Sequence, residues 1–219
     1  MIKVLVVDDQ VLIRAGLAAL LRASGLEVVG EAADGEQAVR LAADLGPDVI
    51  LMDIRMPGVN GIAATERILS AATGPPPKVL ILTTFDLDEY VYNALRLGAS
   101  GFLLKDTPPE RLIAAIHTVA SGDVLLAPAV TRRLIEAFVP PPAPGPPTPA
   151  LDALTARETE VLRQVGHGLS NKEIAERLSV SEGTVKTHLN RLMAKLGLNS
   201  RAQVVVLSYD CGLVKPASH

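Results

Sequence analysis

The chain is poor in the residues that build disulfide scaffolds and aromatic binding surfaces. Its 219 residues include one cysteine, no tryptophan and only 3% aromatic side chains. Because Cys211 has no partner for an internal disulfide, we expect a reducing, cytoplasmic location. No apolar run approaches the roughly 20 residues that span a bilayer, so we expect neither an integral membrane protein nor a membrane partner. The remaining composition, 48% hydrophobic and 21% charged, is typical of a globular protein.

Charge and proline content divide the chain. Residues 1–138 carry 17 acidic and 12 basic side chains, a net of −5, whereas residues 150–219 carry 7 acidic and 9 basic ones, a net of +2. Between them, residues 139–150 read VPPPAPGPPTPA, which favours an extended polyproline linker. We predict a domain over 1–122, a linker over 123–150 with a short helix at 129–138, and a second domain over 151–219. The change of sign indicates different partners for the two domains.

The first domain alternates between short apolar runs and helical periods. Apolar strands are predicted at 3–7, 26–32, 48–52, 78–82 and 101–104, and helices at 11–22, 35–43, 62–71, 87–97 and 109–120. Strands that are apolar nearly throughout are typical of a parallel sheet covered on both faces by helices. The pattern therefore predicts an α/β doubly wound, five-stranded parallel sheet.

Polar side chains follow four of these strands where each strand ends. Asp8 and Asp9 end the first strand, Asp53 the third, Thr83 the fourth and Lys105 the fifth. The carboxyl ends of parallel strands meet at one edge of the sheet, where open α/β sheets bind ligands. Carboxylates that converge there repel one another unless a cation joins them, and oxygen ligands favour a hard divalent ion such as Mg²⁺.

This set of residues resembles the receiver domain of two-component response regulators. The resemblance covers about residues 1–122 and rests on the paired acids, on Asp53 followed by MPGVNG, on Thr83 and on Lys105 within GFLLKD. It implies a flavodoxin-like strand order 2-1-3-4-5. It also implies that a sensor histidine kinase transfers a phosphoryl group to Asp53.

The resemblance assigns further roles at this edge of the sheet. The implied Mg²⁺ ligands are Asp8, Asp9, Asp53 and the backbone carbonyl of Arg55. Three other residues would respond to the phosphoryl group: Lys105 as its cation, Thr83 as a hydroxyl donor and Phe102 as a switch aromatic. Arg55 and Phe85 stand where they can cover or expose that group to water, which leaves the lifetime of the phosphorylated form open.

Residues 151–219 predict a small all-α domain of four helices. Thr155 and Glu158 form a capping-box pattern before a helix that runs to about residue 165. Further helices are predicted at 171–178, 182–196 and 201–211. On the third helix, Val185, Leu189, Leu192 and Leu196 share one narrow arc and are predicted to face the core. The opposite, polar and basic face suits a DNA major groove.

The second domain resembles the helix-turn-helix of the LuxR type, from LTARETEV to LNSRAQ. The resemblance makes three residues of the third helix candidates for base contacts: Lys186, Thr187 and Asn190. Phosphate contacts are expected from Thr184, Arg191, Lys195 and Asn171. Together with the receiver resemblance, this domain makes the chain similar to NarL/FixJ-type response regulators.

We therefore predict a DNA-binding transcription regulator rather than an enzyme. Phosphorylation of Asp53 would favour a homodimer on double-stranded promoter DNA, with RNA polymerase as a further partner. One alternative is a regulator that binds DNA without phosphorylation and uses its receiver only to dimerise. Another is a phosphoryl hydrolase, which Arg55 disfavours because such phosphatases usually carry a second acid two residues after the nucleophile.

Overall fold

The computed structural model describes residues 1–83, 89–121, 151 and 153–214. The chain divides into two compact units, Met1–Leu125 and Leu126–His219. Phe85, the helix predicted at 129–138 and the proline-rich segment lie outside the described residues. In the described part of the chain, no helix is long and apolar enough to cross a bilayer.

The first unit alternates strands and helices. Its elements are β1 (Lys3–Val7), α1 (Val11–Ala23), β2 (Glu27–Ala32), α2 (Gly35–Leu45), β3 (Val49–Asp53), α3 (Gly61–Ala71), β4 (Lys78–Thr83), α4 (Glu89–Arg96), β5 (Gly101–Leu104) and α5 (Pro109–Ala120). All strand pairs are parallel and the sheet order is β2-β1-β3-β4-β5. The predicted doubly wound sheet and its order are thus confirmed.

The strands at the centre of this sheet are apolar because helices cover both of their faces. Residues 4–7 of β1 and 49–52 of β3 are fully buried. On one face, strand side chains join Leu21 of α1 and Leu112 and Ile116 of α5 in a single cluster. Alternate residues of each strand point to the other face, where α2 and α3 pack together.

Four strand ends are shifted by one residue from the prediction: β2 and β3 begin one residue later, and β3 and β4 end one residue later, β4 including Thr83. Two of these shifts have identifiable reasons. Strand β2 begins at Glu27 rather than at Leu26, because the backbone N–H of Leu26 donates to the Leu21 carbonyl at 3.0 Å, at the C-terminal end of α1. At the other boundary, β3 includes Asp53, which pairs with Leu82 of β4. The candidate nucleophile therefore belongs to the strand itself, and the sheet fixes its backbone.

The second unit contains four described helices: α6 (Ala156–Gly166), α7 (Asn171–Leu178), α8 (Glu182–Leu196) and α9 (Arg201–Asp210). The capping box predicted for Thr155 and Glu158 is present, and Ser170 and Ser200 head two more. Val185, Leu189 and Leu192 of α8 are buried as predicted, but Leu196 is only half-buried because α8 ends there. The four-helix prediction holds for the described residues.

Candidate functional site

Strand register brings the polar strand ends of the first unit together. Val7 of β1 pairs with Met52 of β3, so the next residues, Asp8 and Asp53, are neighbours. On the other side, Thr83 of β4 pairs with Leu104 of β5, and the N–H of Lys105 donates to the Thr83 carbonyl at 2.8 Å. The sheet therefore delivers two acids, a hydroxyl and a cation to one edge.

Lys105 joins the two buried carboxylates. Its Nζ lies 2.7 Å from Asp8 Oδ2 and 2.8 Å from Asp53 Oδ2. Asp8 is fully buried and Asp53 is only 3% exposed. At these distances the ammonium forms an ion pair with each acid. One cation therefore bridges two acids that would otherwise repel each other.

Burial and charge act in opposite directions on this group of side chains. Burial raises the pKa of Asp53, and the bond from Lys105 offsets only part of that increase. For Lys105, burial lowers the pKa, but the hydrogen bonds to Asp53 and Asp8 outweigh it and the net pKa is raised. Lys105 is thus held firmly as a cation, whereas Asp53 is a carboxylate whose charge depends on its neighbour.

Asp9 completes an acidic cluster with the chemistry of a divalent cation site. One oxygen each of Asp8, Asp9 and Asp53 lie within 4.8 Å of one another. Oxygens around Mg²⁺ at about 2.1 Å are about 3 Å apart when adjacent and about 4.2 Å when opposite, so the spacing is close to what the ion needs. Asp9 Oδ1 is buried and has no hydrogen-bond partner among the described residues. Three carboxylates and one ammonium leave two negative charges, which a divalent cation would balance.

The MPGVNG segment after Asp53 forms a loop that packs against the end of β3. Gly58 has φ +73°, a left-handed conformation that glycine adopts without strain. Gly61, the first residue of α3, is required for space: a Cβ there would lie 1.9 Å from the Asp53 carbonyl oxygen. Asn60 caps α3 by accepting from the N–H of Ala63 at 2.9 Å. Only packing shows this close approach.

The remaining predicted receiver residues occupy distinct places. Thr83 is 6% exposed at the end of β4, and Phe102 is 8% exposed on β5, opposite Ile81. Phe102 is thus already largely buried in this structure, and its movement stays a prediction. The side chain of Arg55 is exposed, and its N–H lies 3.4 Å from Asp53 Oδ1, so its backbone is adjacent to the acidic cluster.

In the second unit, the candidate base contacts lie on the exposed face of α8. Lys186, Thr187 and Asn190 are all exposed, as is the phosphate candidate Arg191. The Thr187 hydroxyl donates to the Gly183 carbonyl at 2.9 Å, so its oxygen remains an acceptor. The Thr184 hydroxyl shares a 2.9 Å hydrogen bond with Ser181 at the start of the helix. The structure thus groups the α8 candidates on one face, and their contacts with DNA stay predictions.

Two of the predicted phosphate contacts also bind within the unit. Lys195 Nζ donates to Glu158 Oε2 at 2.7 Å, and the side-chain amide oxygen Oδ1 of Asn171 accepts from Arg201. The bond from Lys195, followed by the Thr155 N–H, lowers the pKa of Glu158 to about 2. The sequence identified Glu158 as a capping residue but not as the partner of Lys195, 37 residues away. Nothing in the local pattern marks that pair.

Comparison with known proteins identifies the class of each unit. Residues 4–117 match the family described as "Response regulator receiver domain". Residues 152–208 match the family described as "Bacterial regulatory proteins, luxR family". The two matched segments lie in the two structural units in the order that the sequence predicted.

Similar proteins share this whole arrangement. The transcriptional regulatory proteins LnrK and LiaR of Bacillus subtilis are 42% and 39% identical to the chain; the alignments cover 97% and 98% of it, and 99% and 100% of those proteins. The crystal structure of ChrA, the response regulator of a heme-sensing two-component system, is 37% identical with a TM-score of 0.52 and covers 97% of this chain and 98% of that one. The chain belongs to the two-component response regulators with a LuxR-type DNA-binding domain, which are transcriptional regulators.

Proposed function

We propose that Asp53 accepts a phosphoryl group from a sensor histidine kinase, and that this modification favours a homodimer that binds promoter DNA. The observation that carries the proposal is the bridge from Lys105 to Asp8 and Asp53, at 2.7 and 2.8 Å, beside the unpaired oxygen of Asp9. Phosphoryl transfer requires positioning and charge neutralisation more than covalent assistance, and this cluster offers both.

Asp53 acts as the nucleophile. An Asp53 oxygen attacks the phosphorus of a phosphohistidine, the new O–P bond forms as the P–N bond breaks, and the imidazole leaves with the electron pair. Because β3 and the loop to Gly61 hold the Asp53 backbone, little orientational freedom is lost at the moment of attack. Asp8 and Asp53 both pair with Lys105, but of the three acids only Asp53 lies on a strand.

The acidic cluster would hold Mg²⁺ through Asp9, Asp53 and the Arg55 carbonyl, with Asp8 assisting through water. When bound, the ion supplies positive charge for the phosphoryl oxygens. Lys105 bonds to Asp53 before transfer and to a phosphoryl oxygen afterwards. Thr83, at the adjacent strand end, turns its hydroxyl to the same group, and Phe102 follows as the switch aromatic. The local change in charge thereby alters the face near β4 and β5.

A phosphorylated pair of chains would present two copies of α8 to DNA. Two-fold symmetry places recognition helices in successive major grooves, about one helical turn apart, on a partly palindromic promoter site. Lys186, Thr187 and Asn190 would contact bases, while Thr184, Arg191, Lys195 and Asn171 would contact phosphates. DNA-bound dimers would then meet RNA polymerase.

The proposal is tested by measuring DNA binding on a genomic fragment library, with and without a small phosphoryl donor and Mg²⁺. We expect the donor to add one phosphoryl group to the native chain, shift it toward a dimer and raise its bound fraction. Asp53→Ala should show none of these changes, whereas Asp44→Ala, an exposed acid on α2, should behave as the native chain does. Equal binding by all proteins under all conditions would remove phosphorylation control and leave the phosphorylation-independent regulator.

The DNA contacts are tested by Lys186→Ala. If Lys186 reads a base, its loss should weaken binding by about 1–3 kcal/mol and relax sequence preference, while Asp53 phosphorylation is unchanged. If it binds only phosphate, all sequences weaken alike and the slope of log K against log salt falls by about one. Arg163→Ala, an exposed cation on α6, is the matched control. Loss of both DNA binding and phosphorylation would contradict the assignment of separate roles to the two units.

A further inference from the structure

The loop that carries Asp8 and Asp9 is fixed by a side chain that the proposed phosphoryl transfer does not use. Nη1 of Arg14, in the first turn of α1, donates to the backbone carbonyl of Asp8 at 2.6 Å. On the other side, the N–H of Asp8 donates to the Ala32 carbonyl at 3.1 Å. The peptide units before and after Asp8 are therefore both held.

The Asp8 carbonyl matters because it belongs to the peptide plane that joins Asp8 to Asp9. Rotation of that plane changes the direction in which the Asp9 side chain leaves the backbone. The Asp8 side chain has its own restraints, since Oδ2 forms an ion pair with Lys105 at 2.7 Å and Oδ1 accepts from the Gln10 N–H at 2.9 Å. Asp9 Oδ1 has no partner among the described residues. Its position therefore depends on the backbone that Arg14 holds.

Arg14 also lies near an acid of the neighbouring strand. Its Nε lies 4.0 Å from Oε2 of Glu31 on β2, and its side chain is only 16% exposed. Glu31 also accepts from Nη2 of Arg22 at 3.1 Å, and Arg22 is 55% exposed. The negative charge of Glu31 therefore offsets part of the positive charge that Arg14 brings near the acidic cluster.

We propose that Arg14 is a positioning residue for the divalent cation, acting through the Asp8 carbonyl, and that Glu31 holds it in place. The inference rests on the proposed function, because it concerns the cation that assists phosphoryl transfer to Asp53. Groups that orient metal ligands in this way typically change metal affinity by about 10- to 100-fold. Arg14 is not a catalytic residue, since it reaches the reacting groups only through the backbone.

Charge and positioning predict opposite results when Arg14 is replaced by an uncharged residue. If the charge of Arg14 repelled the incoming ion, Arg14→Met would bind Mg²⁺ more tightly than the native chain. If Arg14 positions the ligands, the same variant would bind more weakly. Because Arg14 bonds directly to the Asp8 carbonyl and Glu31 offsets part of its charge, we expect positioning to dominate and the Kd for Mg²⁺ to rise by about tenfold.

The experiment is calorimetric titration of the full chain with Mg²⁺, followed by phosphorylation at limiting and saturating Mg²⁺ with a small phosphoryl donor. We expect Arg14→Met to need more Mg²⁺ for half-maximal rate but to regain the native rate at saturation. Arg22→Met, which loses its bond to Glu31 without touching Asp8, should keep the native Kd. If Arg14→Met does not fold, Arg14→Gln provides the same comparison with a polar side chain.

A native Kd, or a tighter one, in the Arg14 variant would overturn the inference. So would a rate that stays low at saturating Mg²⁺, because the defect would then lie outside cation binding. Failure of the proposed function is separately visible: a native chain that binds Mg²⁺ but is never phosphorylated removes the function of Asp53 while the affinity comparison still decides the role of Arg14. A native chain that binds no Mg²⁺ would overturn both.

Discussion

Replacement of Lys105 by methionine isolates the electrostatics of the acidic cluster. The substitution keeps a similar side-chain volume but removes the ammonium that bonds to Asp8 and Asp53. Both carboxylates remain buried, at 0% and 3% exposure. Removing one partner of a buried pair costs about 3–5 kcal/mol because a charge is left uncompensated.

The Lys105→Met variant can limit this cost by protonating one of the two carboxylates. The free energy of that protonation therefore sets how much stability the variant loses. Protonating an aspartate with the ordinary pKa of 3.8 costs about 1.4 kcal/mol for each unit by which the pH exceeds that pKa. At pH 7 this cost is about 4 kcal/mol. At pH 5.5 the same step costs only about 2 kcal/mol. Since the folded variant binds this proton and the unfolded chain does not, the variant recovers stability as the pH falls through this range.

The assay is scanning calorimetry of the full chain at pH 7 and pH 5.5, with and without Mg²⁺. For a unit of about 120 residues, about 4 kcal/mol lowers the melting temperature of the receiver transition by about 10 °C or more. We expect Mg²⁺ to raise that temperature more in the variant than in the native chain, because the ion replaces the missing charge. Lys3→Met, an exposed lysine of β1, is the control. A decrease in melting temperature that is the same at both pH values, or the same in Lys3→Met, would refute the reasoning.

Two further predictions concern the loop after Asp53 and the second unit. Gly61→Ala must displace backbone at the end of β3, so it should lower the free energy of unfolding by about 1–3 kcal/mol and slow Asp53 phosphorylation. The control Gly16→Ala, with nothing within 4 Å of the added Cβ, should instead stabilise α1 by up to about 1 kcal/mol, as measured in a thermal melt. Because the pKa of Glu158 is lowered from 4.5 to about 2, the second unit should lose stability as the pH falls from 4.5 to about 2. The NMR signals of α6 report this pH dependence, and Glu158→Gln should abolish it. Glu160→Gln should retain it; identical acid behaviour of the two variants would contradict the role of Glu158.

Local sequence patterns determined the elements of this protein and the end of the sheet at which its acids gather. Apolar runs predicted β1 and β5 at their observed bounds, and the capping residue Thr155 predicted where α6 begins. These signals act over three or four residues, so they are readable without knowledge of the fold. Parallel strands then place Asp8, Asp53 and Lys105 at one edge by topology alone.

Tertiary structure decided which polar groups meet and which residues support them. The pair of Glu158 with Lys195, the contact of Arg14 with the Asp8 carbonyl and the fit of Gly61 against Asp53 depend on how separate elements pack. No period or cap encodes such contacts, because each joins different elements and depends on how those elements pack, beyond the three or four residues over which local signals act. The sequence by itself therefore predicted the class of site and which acids gather there, whereas packing alone decided what holds those acids in place.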